Sequence, residues 1–202
     1  MTDETPPLPL PGDPAPVRLM NTIRADTAGL HDDLTTPAAL HDWLVTVDHQ
    51  YAAEAFAEPR PDELAEAKLV RDSLRRLAAF LTDDARPAAQ SPVESVDDAV
   101  AAVNRAVTRL PHAQLVMLGG QLHSDRPAPT SPTRIALAEL AHDSMDMLTG
   151  SGATKLRACL APGCVRYFVR SHPRREWCSE TCGNRARAAR HYRRIRAARY
   201  ES

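Results

Sequence analysis

The sequence predicts a mainly α-helical body with one small β-hairpin, an α+β domain, followed by a compact C-terminal module stapled by cysteines. Three observations carry this. Apolar residues recur at helical spacing over most of residues 36–148, a Gly-Gly pair lies between two short β-like runs, and all four cysteines fall within residues 159–182. The 202 residues suffice for one medium domain and a small module: a Pro-rich segment over 1–16, a mostly helical domain over 17–152 and the cysteine module over 153–202.

Pro6, Pro7, Pro9, Pro11, Pro14 and Pro16 should keep the first segment extended, since proline has no amide hydrogen to donate. Residues 17–23 form a short apolar run that reads as a strand or a first helical turn. Asn21 and Thr22, the polar pair set into it, either cap a helix or line a ligand pocket in the body.

Thr36-Pro37 starts a helix that places Leu40, Trp43, Leu44 and Val47 on one face. A second opens at Pro61-Asp62-Glu63 and turns Leu64, Ala67, Leu74, Leu77 and Leu81 inward, with Lys68, Arg71, Arg75 and Arg76 expected on the solvent side. After a loop over 82–92, Val96, Val100, Val103 and Val107 make the stripe of a third. Residues 115–118, Gly119-Gly120 and residues 121–123 read as a hairpin whose glycines take positive φ, or the Gly-Gly is a flexible ligand-contacting loop. Ser131-Pro132 starts a fourth helix, with Leu137, Leu140, Ala141, Ser144 and Leu148 on one face and Gly150 at its C-terminal cap. Ser151-Gly152 is then a minimal linker, which argues that module and body are held close.

The cysteines come as two pairs, Cys159-x4-Cys164 and Cys178-x3-Cys182. Two short-loop pairs let one tetrahedral zinc staple segments too small to bury a core. Two disulfides are the rival reading. The chain begins Met1-Thr2-Asp3-Glu4 with no basic n-region or apolar h-region, and no eighteen apolar residues run together. A cytoplasmic protein with no membrane role is therefore expected, nucleoid-associated if it binds DNA, and disulfides are rare in the cytoplasm. The expectation is one structural Zn²⁺ held by Cys159, Cys164, Cys178 and Cys182; four thiolates leave no open position for catalysis. His172 and His191 are expected in a loop and on a helix surface rather than at the metal.

Residues 155–158 and 166–169 read as strands around the first knuckle, Trp177 as the apolar mass over the metal, and residues 179–200 as a helix that donates the last ligands. That order is treble-clef-like. On the helix, Ala188, Tyr192 and Ile195 are expected to rest on the ribbon, leaving Arg187, Arg190 and Arg194 together on another face. Residues 155–202 hold thirteen Lys and Arg against three Asp and Glu, a net of +10, while residues 1–154 hold twelve against twenty-three, a net of −11. A basic module on an acidic body is the electrostatic footprint of a nucleic-acid binder, or else the basic helix folds against its own acidic domain.

The stretch from Arg174 to Arg185, Arg-Arg-Glu-Trp-Cys-Ser-Glu-Thr-Cys-Gly-Asn-Arg, resembles the CGNR zinc-finger family, whose name is spelled by Cys182-Gly183-Asn184-Arg185. The resemblance extends to that family's N-terminal ABATE domain through Asn21-Thr22, Leu40 with Trp43-Leu44, residues 69–77 around Arg71, and Asn104. It implies a stress-induced transcription regulator. One departure is visible: the Asp-x-Ser-x-Asn usual after Phe168 reads Val169-Arg170-Ser171-His172 here.

The expected function is zinc-dependent DNA binding, with Arg174, Arg175, Asn184, Arg185, Arg187, Arg190 and Arg194 as contacts and the body sensing a small molecule or forming a homodimer. Asn184 either reads adenine or braces the cysteine turn. The alternative partners are RNA or an acidic protein. No catalytic residue is expected: His41-Asp42, Asp48-His49 and His142-Asp143 are adjacent pairs whose side chains diverge on a helix, and no metalloprotease, phosphate-loop or nucleophile-elbow motif occurs, so the chain does not read as an enzyme.

Overall fold

The computed structural model describes residues 12–47, 57–128 and 130–200, with side chains to 198. Most of the Pro-rich segment lies outside them, as does the Asp48-His49 pair. The described chain runs α1 Ala15–Met20, β1 Ile23–Ala25, β2 Leu30–Asp32, α2 Pro37–Val47, α3 Pro61–Leu81, α4 Val96–Val107, β3 Gln114–Leu118, β4 Gln121–Asp125, α5 Pro132–Leu148, α6 Gly150–Ala153, β5 Leu156–Ala158, β6 Tyr167–Val169 and α7 Glu180–Tyr200. Three antiparallel two-stranded ribbons, β1–β2, β3–β4 and β5–β6, accompany the helices.

Helix α3 is the axis of the body, with α1, α2, α4 and α5 packed on it. Ionic contacts fix their directions. Arg134 in the first turn of α5 reaches Asp62 and Glu66 at the start of α3, and Arg109, just past α4, pairs with Glu66. Thus α3 and α5 start at the same end and α4 runs against both.

The apolar run over 17–23 proves to be both of its readings: a helix that buries Val17, Leu19 and Met20, then a strand. The β1–β2 ribbon was not foreseen, because three-residue strands carry too little alternation to register. In α4 the buried stripe is Ala99, Ala102, Val103 and Ala106, while Val100 is 42% exposed. Of the expected valines Val103 is buried and Val96 and Val107 pack at the margin, while Val100 turns outward; the alanines let the backbone approach its neighbours closely.

Arg71 and Arg75 are corrected more sharply. They are 3% and 1% exposed. Arg71 pairs with Asp72 and Asp32 at 2.9 and 2.6 Å. Arg75 donates through Nη1 to the carbonyls of Met20 and Val165 at 3.0 and 3.2 Å and lies over the Tyr167 ring at 5.4 Å. Burial draws its guanidinium below the ordinary value, the ring and Asp72 acting against this.

One apolar core runs through body and module together: Leu156 of β5 and Tyr167 of β6 are buried in the same cluster as Leu19, Leu40, Leu74 and Leu137. Ser151 and Gly152, read as a linker, lie within α6 instead. A Cβ on Gly152 would overlap the Asp146 carbonyl, so glycine permits the close packing of α6 on α5.

Candidate metal centre and basic helix

Each cysteine reaches the centre from a different local structure. Cys159 and Cys164 bracket a turn closed by a hydrogen bond from the Cys164 amide to the Ala161 carbonyl at 2.9 Å, with Gly163 at φ +71°. Cys178 precedes α7 and Cys182 lies in its first turn, where the Cys182 amide donates to Ser179 Oγ at 3.2 Å. The four ligand atoms lie within 4.8 Å of one another and all four residues are buried. Sγ–Sγ separations are 3.8 Å for Cys164–Cys178 and 3.5 Å for Cys178–Cys182. A tetrahedron with Zn–S bonds of about 2.3 Å has edges of about 3.8 Å, whereas a disulfide needs about 2.05 Å. The cysteines are unbonded and form one group, so the two-disulfide reading falls and the group fits one zinc ion. Neither His172 nor His191 belongs to it.

The thiols are tightly coupled. Hydrogen bonds from Cys164 and Cys178 draw the Cys159 thiol down to about 7, and the cluster drives Cys182 far below the usual thiol range while Cys164 and Cys178 rise.

A zinc ion held by the four thiolates would give the site a net charge of −2, and three arginines contact the cysteines. Arg185 Nη2 donates to Cys182 Sγ at 3.1 Å. Arg86 Nη1 donates to the carbonyls of Cys159 and Cys164 at 2.8 and 2.5 Å while its other nitrogens hold Asp84. Arg175 Nη2 donates to the Cys178 carbonyl at 3.2 Å. Such cations orient the ligands and offset the thiolate charge. Trp177 packs against the cluster, as expected, and a Cβ on Gly183 would sit 3.1 Å from its ring.

The residues expected at nucleic acid divide. Arg175 is spent on the fold: it pairs with Asp13 through both terminal nitrogens at 2.9 and 2.8 Å, donates to the Val169 carbonyl and stacks on Phe168. Arg185 is half-buried against its thiolate. Arg174 is exposed, with its backbone amide donating to His172 Nδ1 at 3.1 Å in the segment that departs from the family pattern. Asn184 is exposed and accepts from Arg187 Nη2 through Oδ1 at 2.6 Å, so it braces that arginine. Arg187, Arg190 and Arg194 are exposed on one face of α7.

The rest of α7 departs from expectation. Among its described side chains only Cys182, Gly183 and Ala186 are buried, whereas Ala188 is exposed, Tyr192 is 71% exposed and Ile195 40%. The expected apolar stripe has no ribbon beneath it, because three-residue strands are far shorter than a helix of about 31 Å. The helix therefore projects from the module instead of lying on it.

Asn21 joins the module to the body, and Thr22 closes the end of α1. The Asn21 amide donates to the Tyr167 carbonyl at 2.8 Å and accepts from the Tyr167 amide at 2.9 Å. Thr22 Oγ1 donates to the Leu19 carbonyl at 2.8 Å. Asp13 Oδ1 accepts from the Val169 amide at 3.2 Å, and the buried Tyr167 hydroxyl donates to Asp84 Oδ2 at 3.1 Å. Asp13, Asp84 and Arg86 were missed because they stand singly in loops with no periodic signal.

No helix among the described residues is long and apolar enough to cross a membrane. In comparison with known families, the ABATE family model, described as "Putative stress-induced transcription regulator", matches residues 13–151, and the CGNR zinc finger matches residues 155–195. No curated protein matches the chain.

Proposed function

The chain belongs to the ABATE family and ends in a CGNR zinc finger, and from that premise we propose a zinc-dependent DNA-binding regulator that docks α7 on duplex DNA. The observation that carries this is the placement of Arg187, Arg190 and Arg194. They share one solvent-facing side of a helix whose first turn is pinned by the metal site and whose remaining length leaves the module. The module's net charge of +10 attracts phosphate, and guanidinium groups suit bidentate contact with phosphate and guanine edges. The zinc is structural on this reading; it sets the angle at which the helix leaves the body. The chain's role is binding, not catalysis, and the body supplies regulation by sensing a ligand or by pairing with a second copy.

Selection from a random duplex-DNA pool by the zinc-loaded chain, with Cys182→Ser in parallel, tests the proposal. An enriched motif lost in the variant supports a sequence-specific regulator. With about six phosphates neutralised, log affinity should fall with log salt at a slope of about −5. Absence of any duplex binding would sink the proposal and direct the search to RNA or an acidic protein.

A further inference from the structure

The β3–β4 hairpin shows an apolar face to solvent. Its register pairs Met117 with Leu122 and Leu115 with Ser124, so Leu115, Met117 and Leu122 lie side by side on one face. They are 73%, 63% and 63% exposed. The opposite face carries Gln114, Gln121, His123 and Asp125 beside Val116 and Leu118, and is the more polar. Gly119 and Gly120, at φ +58° and +80°, close the turn tightly, so the hairpin is a built element that presents its apolar side outward.

The body holds a matching feature. A cavity of about 280 Å³ between the C-terminal ends of α3 and α5 and the N-terminal half of α4 is lined by Leu77, Phe80, Val100, Val103, Met145 and Leu148, among others. Phe80 is 59% exposed, Val100 42% and neighbouring Leu81 36%. Asn104 and Thr149 are its polar members.

Groove and hairpin stand at opposite ends of the helical layer. The hairpin leaves from the end of α4 and returns to the start of α5, while the groove is lined by α4 from Val96 to Asn104 and by the end of α5. A two-fold axis that sets the helical layers antiparallel would place each hairpin at the end of the layer that holds the other copy's groove. That arrangement closes on itself, because the same contact is made twice.

We propose that this chain forms a symmetrical dimer in which the Leu115–Met117–Leu122 face of each hairpin covers the Phe80–Leu81–Val100 groove of the other copy. A second copy is the occupant because the chain carries both halves of the contact and the geometry closes. The six side chains of the two patches together expose roughly 600 Å² per chain. Twice that reaches the lower end of the range for specific interfaces, so a dissociation constant of micromolar order is expected. The dimer also carries two basic helices, which deepens the DNA-binding reading but does not depend on it.

Sedimentation equilibrium of the zinc-loaded full chain, without nucleic acid, tests this. The unaltered chain should dimerise, and Leu115→Glu in the hairpin and Val100→Glu in the groove should each weaken association about tenfold or more. An equimolar mixture of the two variants should regain association, since a hairpin variant keeps its groove and a groove variant keeps its hairpin. Met117→Ser and Phe80→Ser form a second complementary pair should either first variant lose zinc or helical signal. A chain that stays monomeric to roughly 100 μM, a dimer indifferent to both variants, or a mixture that fails to associate would each overturn the proposal.

Discussion

Asn21 does for Tyr167 what a neighbouring strand would do: its side-chain amide donates to the Tyr167 carbonyl and accepts from the Tyr167 amide, at 2.8 and 2.9 Å. The two residues are 146 positions apart, one at the end of α1 and the other opening β6 of the finger. A single side chain thus completes the edge of a ribbon only two strands wide, and in doing so joins the finger to the body.

Replacing Asn21 by Ala leaves both backbone groups of Tyr167 without these partners. The expected loss is about 2–4 kcal/mol, read as a fall in Tm of roughly 6–12 °C. A Tm within 2 °C or so of the parent would show that water replaces the amide freely.

Zinc removal should be felt by the whole chain. Leu156 and Tyr167 belong to the body's core, so a finger that loses its metal withdraws core side chains from α1, α3 and α5. Calorimetry of Cys182→Ser, or of the chelated protein, is expected to show a single transition lowered by about 10 °C or more. Two separate transitions would mean an autonomous body.

The arginines of the finger should separate into two functional groups. Gln at Arg187, Arg190 and Arg194 together is expected to weaken duplex binding about 100-fold at low salt and to leave Tm nearly unchanged, since these side chains are exposed. Arg175→Gln should do the reverse. It strands Asp13, whose side chain is fully buried, at a cost of about 3 kcal/mol, and binding falls only as far as folding does.

Acid should unfasten the ion pairs around α3 and the following loop. Burial acts to raise Asp32, but the Arg71 hydrogen bond, the Leu34 amide and the charges of Arg71 and Lys68 outweigh it and hold this carboxylate below its ordinary range. Asp84 is likewise low: burial is opposed by its bonds to Arg86. Both folded values lie below the unfolded one, so their stabilisation is complete above about pH 4 and is lost as pH falls through the folded values. Thermal unfolding from pH 7 to 3 should show Asp32→Asn with Asp84→Asn less stable at pH 7 and with a shallower acid limb. Parallel curves would remove these two groups from the account.

The positions of α2, α3 and α5 were legible because capping residues and 3.6-residue periodicity are local, and the β3–β4 turn because two glycines supply positive φ. The four cysteines were legible because ligand chemistry and pair spacing narrow the choice before any fold is known. Arg71 and Arg75 were misplaced for a matching reason. A charged residue reads as exposed unless its partners are known, and theirs, Asp32, Met20 and Val165, are distant in sequence.

The sequence by itself determined α2, α3, α4, α5 and α7, the metal ligands and the opposed charges of finger and body, all of which depend on residue type and short spacing. Only the tertiary structure decided which arginines are spent on the fold, that Asn21 clamps the finger to the body, and that the far face of α7 and the hairpin remain bare. Those outcomes depend on which buried polar groups meet across long separations, and on whether a packed neighbour is long enough to cover the apolar residues a helix or strand presents.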